Sequence, residues 1–207
     1  MSDKQNQLET LQEIRSLMER SSRFLSLSGK AGIFIGIYAL LGVSGVYVYL
    51  DLSLLEGGYY RLANQNAEKV SMLVLGFSFV LVSSLLTGLV WARIKARRLN
   101  LSLWDATAKR FLIHFFTPLF VGGIVCNLFL FRQQTDLILP FTLLFYGLAL
   151  VNASKYTIED IFYLGMIEIV VGLAALFFVE YALLLWGLGF GVLHIVYGAT
   201  IYQKYEK

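Results

Sequence analysis

Six long apolar stretches, separated by short polar segments, dominate the pattern of this chain. They cover roughly residues 31–50, 70–92, 111–131, 137–153, 161–179 and 181–202. A helix needs about 20 apolar residues to cross a bilayer, because it rises ~1.5 Å per residue. The pattern therefore predicts an all-α fold, a polytopic transmembrane bundle of six spanning helices.

The first 29 residues have a different pattern. Apolar residues recur there at spacings of three, four and seven, at Leu8, Leu11, Ile14, Met18 and Leu25. This spacing predicts an amphipathic helix in the cytoplasm or at the membrane interface. Its polar face mixes acidic and basic residues, whereas helices that bind anionic lipid are mostly dominated by Lys and Arg. The face fits a protein partner, or a helix that lies on the bilayer or on its own bundle.

These patterns divide the chain into two parts, an entry segment with the amphipathic helix over 1–29 and a six-helix transmembrane domain over 30–207. The composition agrees, with 57% hydrophobic residues, 15% charged residues and a mean hydropathy of +0.68. The formal charge of +3 does not indicate nucleic-acid binding, because the cationic residues cluster beside the apolar stretches. Cys126 is the one cysteine in the sequence, so a single chain can form neither a disulfide nor a thiolate metal site.

The lysines and arginines predict the orientation. With the N-terminus in the cytoplasm, only Arg61, Lys69 and Arg132 fall outside, and the other fourteen of the seventeen cationic residues fall inside. This asymmetry matches the positive-inside rule and predicts two cytoplasmic termini. The second cytoplasmic loop holds the predicted membrane-surface anchors: Arg93, Lys95, Arg97, Arg98, Trp104, Lys109 and Arg110.

One carboxylate and one imidazole interrupt the last two apolar stretches. Glu168 lies between Gly165 and Gly172 at helical spacing, and His194 lies between Gly191 and Gly198 in the same way. Small residues let transmembrane helices approach closely, and Gly187 extends the second stripe. We therefore expect the fifth and sixth helices to dock along these glycines, with Glu168 and His194 as a buried interhelical pair.

The buried pair has two open interpretations. It can be a structural pin that fixes how two helices meet, or a coupled site that exchanges protons near neutrality. A proton or ion pathway needs further polar residues, and the candidates for such a pathway or for interhelical contacts are His114, Asn127, Tyr146, Asn152 and Tyr197. Pro118 should kink the third helix and free the carbonyl group of His114.

Motifs for enzymatic chemistry are absent from the sequence. It has no H-E-x-x-H, no Walker A loop, no dinucleotide fingerprint and no G-x-S-x-G elbow. The glycines of "GLGFG" (187–191) lie within a span, where helix packing explains them better than a phosphate loop. We expect no enzymatic activity, no cofactor and no metal.

Three stretches carry a resemblance: "MERSSRFLSLSG" (18–29), "YGLALVNASKYT" (146–157) and "LGFGVLHIVYG" (188–198). The chain resembles an uncharacterised family of small bacterial six-helix integral membrane proteins. The resemblance implies a bacterial inner (cytoplasmic) membrane, and it implies no activity and no site residue.

The functional expectation is a non-enzymatic accessory or regulatory protein that acts through protein partners. The alternative is a small proton-linked transporter or channel that uses Glu168 and His194. The expected partners are the lipid bilayer, a protein bound at the N-terminal helix and a second copy of the chain, with no nucleic acid.

Overall fold

The computed structural model describes residues 28–53, 57–98 and 104–207, and within these ranges the chain is helical and has no strand. The predicted N-terminal helix lies outside the described residues. The described helices are α1 Gly29–Leu50, α2 Tyr59–Ala63, α3 Ala67–Arg98, α4 Ala106–Phe131, α5 Ile138–Ala153, α6 Asp160–Phe177, α7 Ala182–Trp186 and α8 His194–Tyr205. A π-helical segment, Gly187–Leu193, joins α7 to α8, and we call these three elements the last helix.

Six helices in the described ranges are long and apolar enough to cross a membrane, which indicates a multi-pass membrane protein. With the short 3₁₀ turns at their ends, they are Gly29–Leu50, Ala67–Arg98, Ala106–Phe131, Thr135–Tyr156, Asp160–Phe177 and Val179–Tyr205. The prediction of an all-α chain with six apolar helices is confirmed for these residues. The second of them is longer than predicted, because the Lys and Arg residues after position 92 favour helix and extend α3 to Arg98.

The long helices pack in two groups of three. In the first group, α1 packs against α3 and against the last helix, and in the second, α5 packs against α4 and α6. The two groups meet at a seam, where α7 and the π segment contact α5 and α6. Most of α3 and α4 is exposed, whereas the last helix has the largest buried share of the six.

Glycines bring α1 and the last helix into backbone contact. A Cβ atom added to Gly198 would lie 2.6 Å from the carbonyl oxygen of Gly29 and the backbone nitrogen of Ile33. One added to Gly191 would lie 2.5 Å from the side chain of Leu40 in α1. The last helix therefore runs along α1 at a distance that only glycine permits at these positions.

The predicted partners of the glycine stripes are wrong, although their role in helix packing is right. Gly191 and Gly198 face α1, and Gly187 meets Val43 of α1. Gly165 and Gly172 face α5, where they meet Gly147 and Leu144. The surfaces of α1 and α5 that meet the stripes contain glycines or gaps between side chains. Each stripe therefore packs against one of these two helices and not against the other stripe. The spacing of glycines along one helix identifies a face of small residues, but it does not identify the helix that packs against that face.

The end of the bundle that carries the C-terminus, here the terminal end, is tied together by Glu206. Its carboxylate accepts a hydrogen bond from the backbone nitrogen of Gly29 at 2.9 Å, where the start of α1 leaves amide groups without helical partners. The same carboxylate pairs with Lys95 of α3 at 3.1 Å. Lys204 and Tyr205 also hydrogen-bond Asp160 at the start of α6. The C-terminal residues thus contact both helix groups.

The opposite end is covered by the short helix α2. The hydroxyl of Tyr59 donates to the carbonyl oxygen of Thr135 at 2.9 Å, and burial raises the pKa of that hydroxyl. The backbone nitrogen of Gly58 donates to the carbonyl oxygen of Glu180 at 2.7 Å, and the Glu180 carboxylate pairs with Arg61. Gly58 has a positive φ of 82°, a conformation that glycine adopts without strain. These contacts hold α2 against both helix groups.

The contact between α1 and the last helix predicts a matched pair of glycine variants. Gly198→Ala puts a methyl group into the backbone of α1 and should destabilise the chain by about 1–3 kcal/mol. Gly76→Ala is the control, because nothing lies within 4 Å of the added Cβ and alanine favours helix. Thermal unfolding in detergent should show a lower midpoint for Gly198→Ala only, and equal midpoints would contradict this packing.

Candidate functional site

Glu168 lies in the middle of α6 and inside the bundle. Its side chain is 0% exposed, and it lies eight residues, or ~12 Å, from the start of the helix at Asp160. The buried positions around it are apolar or glycine: Ile161, Leu164, Gly165, Val171, Gly172 and Ala175. The same helical face that packs α6 into the bundle therefore carries this carboxyl group away from solvent.

His194 is the first residue of α8, directly after the π segment, and it is 4% exposed. Its Nδ1 atom lies 3.4 Å from Oε1 of Glu168. The predicted contact between the two residues is thus present, and it crosses the seam between the two helix groups. The pair forms although the glycines around it pack against α1 and α5.

The imidazole of His194 has a hydrogen-bond partner at each nitrogen. Nδ1 lies 3.1 Å from the carbonyl oxygen of Gly189, and since a carbonyl only accepts, Nδ1 carries the hydrogen. Nε2 lies 2.8 Å from the hydroxyl of Tyr146 in α5, which donates to it when the imidazole is neutral. Tyr146 was predicted as a pathway or contact residue, and it binds the pair directly.

The Glu168 carboxyl group differs from the imidazole, because neither of its oxygens has a hydrogen-bond partner among the residues that the structure describes. The Nδ1 atom lies 3.4 Å from Oε1, but its hydrogen points to Gly189 instead. An ionised carboxylate in this position would lack the donors that a buried charge requires. The arrangement therefore fits a neutral carboxyl group.

Gly189 provides the space for the carboxyl group. A Cβ atom added there would lie 2.6 Å from Oε2 of Glu168 and 2.6 Å from the side chain of Leu143. Gly189 was not identified from the sequence as part of the site. Helix packing explained all the glycines of "GLGFG" there, because Gly187 and Gly191 have the four-residue spacing of a packing stripe. An extra glycine between them is a signal for a close approach by another group.

Aromatic rings enclose the pair on the side of α5 and the π segment. The Phe190 ring lies 4.8 Å from the Tyr146 ring, 5.8 Å from the His194 ring and 4.7 Å from the Trp186 ring, between centroids. Trp186 also donates through Nε1 to Thr142 Oγ1 at 3.1 Å. These rings help to keep Glu168 and His194 away from solvent. We call Glu168, His194 and Tyr146 the seam cluster.

A second polar contact forms around Pro118, apart from the seam cluster. Pro118 lies inside α4, and the carbonyl of His114, four residues earlier, accepts a hydrogen bond from Asn152 of α5 at 2.9 Å. The ring of His114 contacts the hydroxyl of Tyr156 through Nε2 at 3.1 Å. Asn152, one of the predicted pathway or contact residues, thus connects two helices and supplies the donor that proline cannot.

Two other predicted polar candidates do not join either site. Asn127 is exposed and donates to the carbonyl oxygen of Gly123 in its own helix, at 2.8 Å, so it does not connect helices within the described chain. Tyr197 packs against an apolar cluster that includes Leu164 and Ile201, toward the terminal end. Residue type and approximate depth could not distinguish these positions from Tyr146.

The predicted surface anchors are mostly exposed at the terminal end: Arg93, Arg97, Arg98, Trp104, Lys109 and Arg110. Lys95 is different, because its side chain is 15% exposed and pairs with Glu206. It therefore holds α3 to the C-terminal residues, a role that the prediction of a membrane anchor did not include. Anchoring by the others stays a prediction.

The chemistry of the seam cluster is that of proton binding. It contains one carboxyl, one imidazole and one phenol group, each of which can hold or pass a proton. Among the described residues, no group of three or more His, Cys, Asp or Glu side chains could hold a metal ion. No protein-family model, curated protein or solved structure matches this chain.

The two asparagines of α4 and α5 give a matched test of the contact at Pro118. Asn152→Leu leaves the His114 carbonyl without its donor and should destabilise the chain by ~1 kcal/mol, as interhelical polar contacts do. Asn127→Leu removes only a bond within one helix and should leave stability unchanged or higher. Denaturation in detergent measures both, and a loss in Asn127→Leu alone would reverse these assignments.

Proposed function

We propose that this chain is a non-enzymatic accessory or regulatory protein of a bacterial inner membrane, with both termini in the cytoplasm. In this role it acts on a protein partner at the terminal end. The directions of the helices support this orientation, because they gather ten described lysines and arginines at that end: Lys30, Arg93, Lys95, Arg97, Arg98, Lys109, Arg110, Lys155, Lys204 and Lys207. Arg61, Lys69 and Arg132 lie at the opposite end.

The observation that carries the proposal is the closed position of the seam cluster between the two helix groups. Glu168 and His194 are 0% and 4% exposed, and each contacts residues of the other group rather than solvent. A catalytic or transport site needs access for its substrate, whereas a contact that regulates how two helix groups meet does not. The cluster therefore suits a protein whose output is its conformation.

The route from the cluster to a partner runs along the last helix. His194 begins α8, and twelve residues later Glu206 holds the start of α1 and the end of α3 through Gly29 and Lys95. Residues 1–27 precede α1 directly. A shift of α8 would thus be transmitted through the start of α1 to the preceding residues, for which the sequence predicts an amphipathic helix with a mixed-charge face.

Site-specific photocrosslinking in native membranes tests the partner. A photoreactive residue at Glu13, on the polar face of the predicted N-terminal helix, should give an adduct of defined mass. The same residue at Phe131, which is 87% exposed at the opposite end, is the control and should not give that adduct. An adduct of twice the mass of the chain identifies a second copy as the partner, and no adduct at Glu13 beyond that at Phe131 contradicts the proposal.

A proton-linked transporter or channel is the second candidate, and the carboxyl group without hydrogen-bond partners favours it. Both oxygens of Glu168 are free to take and release a proton, and an ionisable residue inside a membrane is a functional candidate by default. In this case the seam would have to open to admit water to Glu168.

Proteoliposomes that contain a pH-sensitive dye distinguish the two candidates. The regulatory role predicts a proton flux equal to that of empty vesicles under an imposed membrane potential. Flux in the wild type that is lost in Glu168→Gln and kept in Glu68→Gln would instead establish transport. Glu68 is a suitable control because it is exposed at the start of α3.

A further inference from the structure

The hydrogen on Nδ1 of His194 has two acceptors within reach. It points to the carbonyl oxygen of Gly189 at 3.1 Å, and Oε1 of Glu168 lies 3.4 Å from the same nitrogen. One hydrogen can serve only one of them well, because a hydrogen bond weakens steeply with poor alignment. The choice depends on the charge of the carboxyl group, since an ionised carboxylate is a stronger acceptor than a backbone carbonyl.

We propose that Glu168 is a proton-binding site, and that its proton determines whether His194 hydrogen-bonds Gly189 or Glu168 and so whether the π segment keeps its π-helical form. In the structure the carboxyl group is without donors and the imidazole hydrogen lies on Gly189, which is the arrangement of the protonated site. Loss of the proton to solvent, during a transient opening of the seam, leaves a carboxylate, and the Nδ1 hydrogen then turns to Oε1.

The π segment is the element that responds. π-Helix is rare and occurs mostly as short stretches at functional sites, because it is less favourable than α-helix. Gly189 and His194 are five residues apart, the separation of a π-helical turn, so the bond from Nδ1 to the Gly189 carbonyl adds a side-chain contact across one such turn. When this bond is lost, the π-helical turn loses that contact and becomes less favourable relative to α-helix. Ionisation of Glu168 therefore favours α-helix in this segment.

Few other groups around Glu168 could affect the equilibrium between its protonated and ionised forms. Within the described ranges, the ionisable groups that face it are His194 of the last helix and Tyr146 of α5. Neither α7 nor the π segment contains an ionisable residue. The 3₁₀ turns packed against α6 carry Lys155 and Tyr156 at the terminal end and Glu180 and Tyr181 at the opposite end, away from the middle of the helix.

A change in the π segment would also affect the contacts at the terminal end of the bundle. A change between π-helix and α-helix rotates α8 relative to α7, because the two helix types have different numbers of residues per turn. The rotated helix, α8, lies against α1 at Gly198 and ends at the contacts of Lys204 and Glu206. This output rests on the proposed regulatory role, whereas proton binding itself can be measured on the purified chain without a partner.

Infrared spectroscopy of the purified chain in nanodiscs tests the proton site. A protonated carboxyl group has a carbonyl stretching band of its own, which should be present in the wild type, disappear as pH rises and be absent in Glu168→Gln. Glu68→Gln should keep it, and His194→Gln should shift its frequency because the neighbouring imidazole is lost. Where Glu168→Gln does not fold, the shift in His194→Gln identifies the band. A wild type without such a band over the pH range in which it stays folded overturns the proposal.

Hydrogen exchange of residues 187–194 tests the response of the π segment. Its exchange rates should change over the same pH interval as the infrared band in the wild type and in Glu68→Gln, and should not change in Glu168→Gln. A band that titrates without any change in exchange would overturn the coupling and leave the proton site standing. Either result is independent of the crosslinking experiment, so failure of the regulatory role and failure of this inference can be told apart.

Discussion

The burial of the Glu168 carboxyl group in the middle of an apolar helix constrains everything near it. A charge there requires donors, and neither oxygen receives a hydrogen bond from the described part of the chain. The imidazole of His194 lies beside it, and both of its nitrogens already have hydrogen-bond partners. Gly189 also lies beside it, at a position where any side chain would collide with the carboxyl group. The carboxyl group and the donor that it could recruit are thus held side by side.

Two helix groups meet at this point, and close backbone packing places them there. Gly198 and Gly191 bring the last helix against α1, while Gly165 and Gly172 bring α6 against α5. Each group is therefore held internally by close packing, with added polar contacts of Asn152 with His114 in one group and of Glu206 with Lys95 in the other. The polar contacts between the two groups include the seam cluster in the middle and the ion pair of Asp160 with Lys204 at the terminal end. The proposed regulatory role requires that the groups change how they meet while each group stays packed.

The candidate site was predictable in its two ionisable members and not in its other parts. Glu168 and His194 stand out because charged residues are rare in apolar helices, and their distances of 12 and 14 residues from Glu180 place them at similar depth. Tyr146 could not be separated from Tyr197 in advance, since both are tyrosines in apolar helices and only helix rotation decides which one reaches His194. Gly189 was missed because its role depends on a side chain that arrives from another helix.

The sequence by itself determined the number of apolar helices, their approximate ends, the distribution of cationic residues and the presence of two stripes of small residues. These depend on local properties, namely the length of apolar stretches, the positions of charges and the helical repeat. Only the tertiary structure decided that the stripes pack against α1 and α5, that Asn152 serves the carbonyl freed by Pro118, and that the last helix contains a π segment. Each of these depends on which surface a second helix presents, and a one-dimensional pattern does not contain that information.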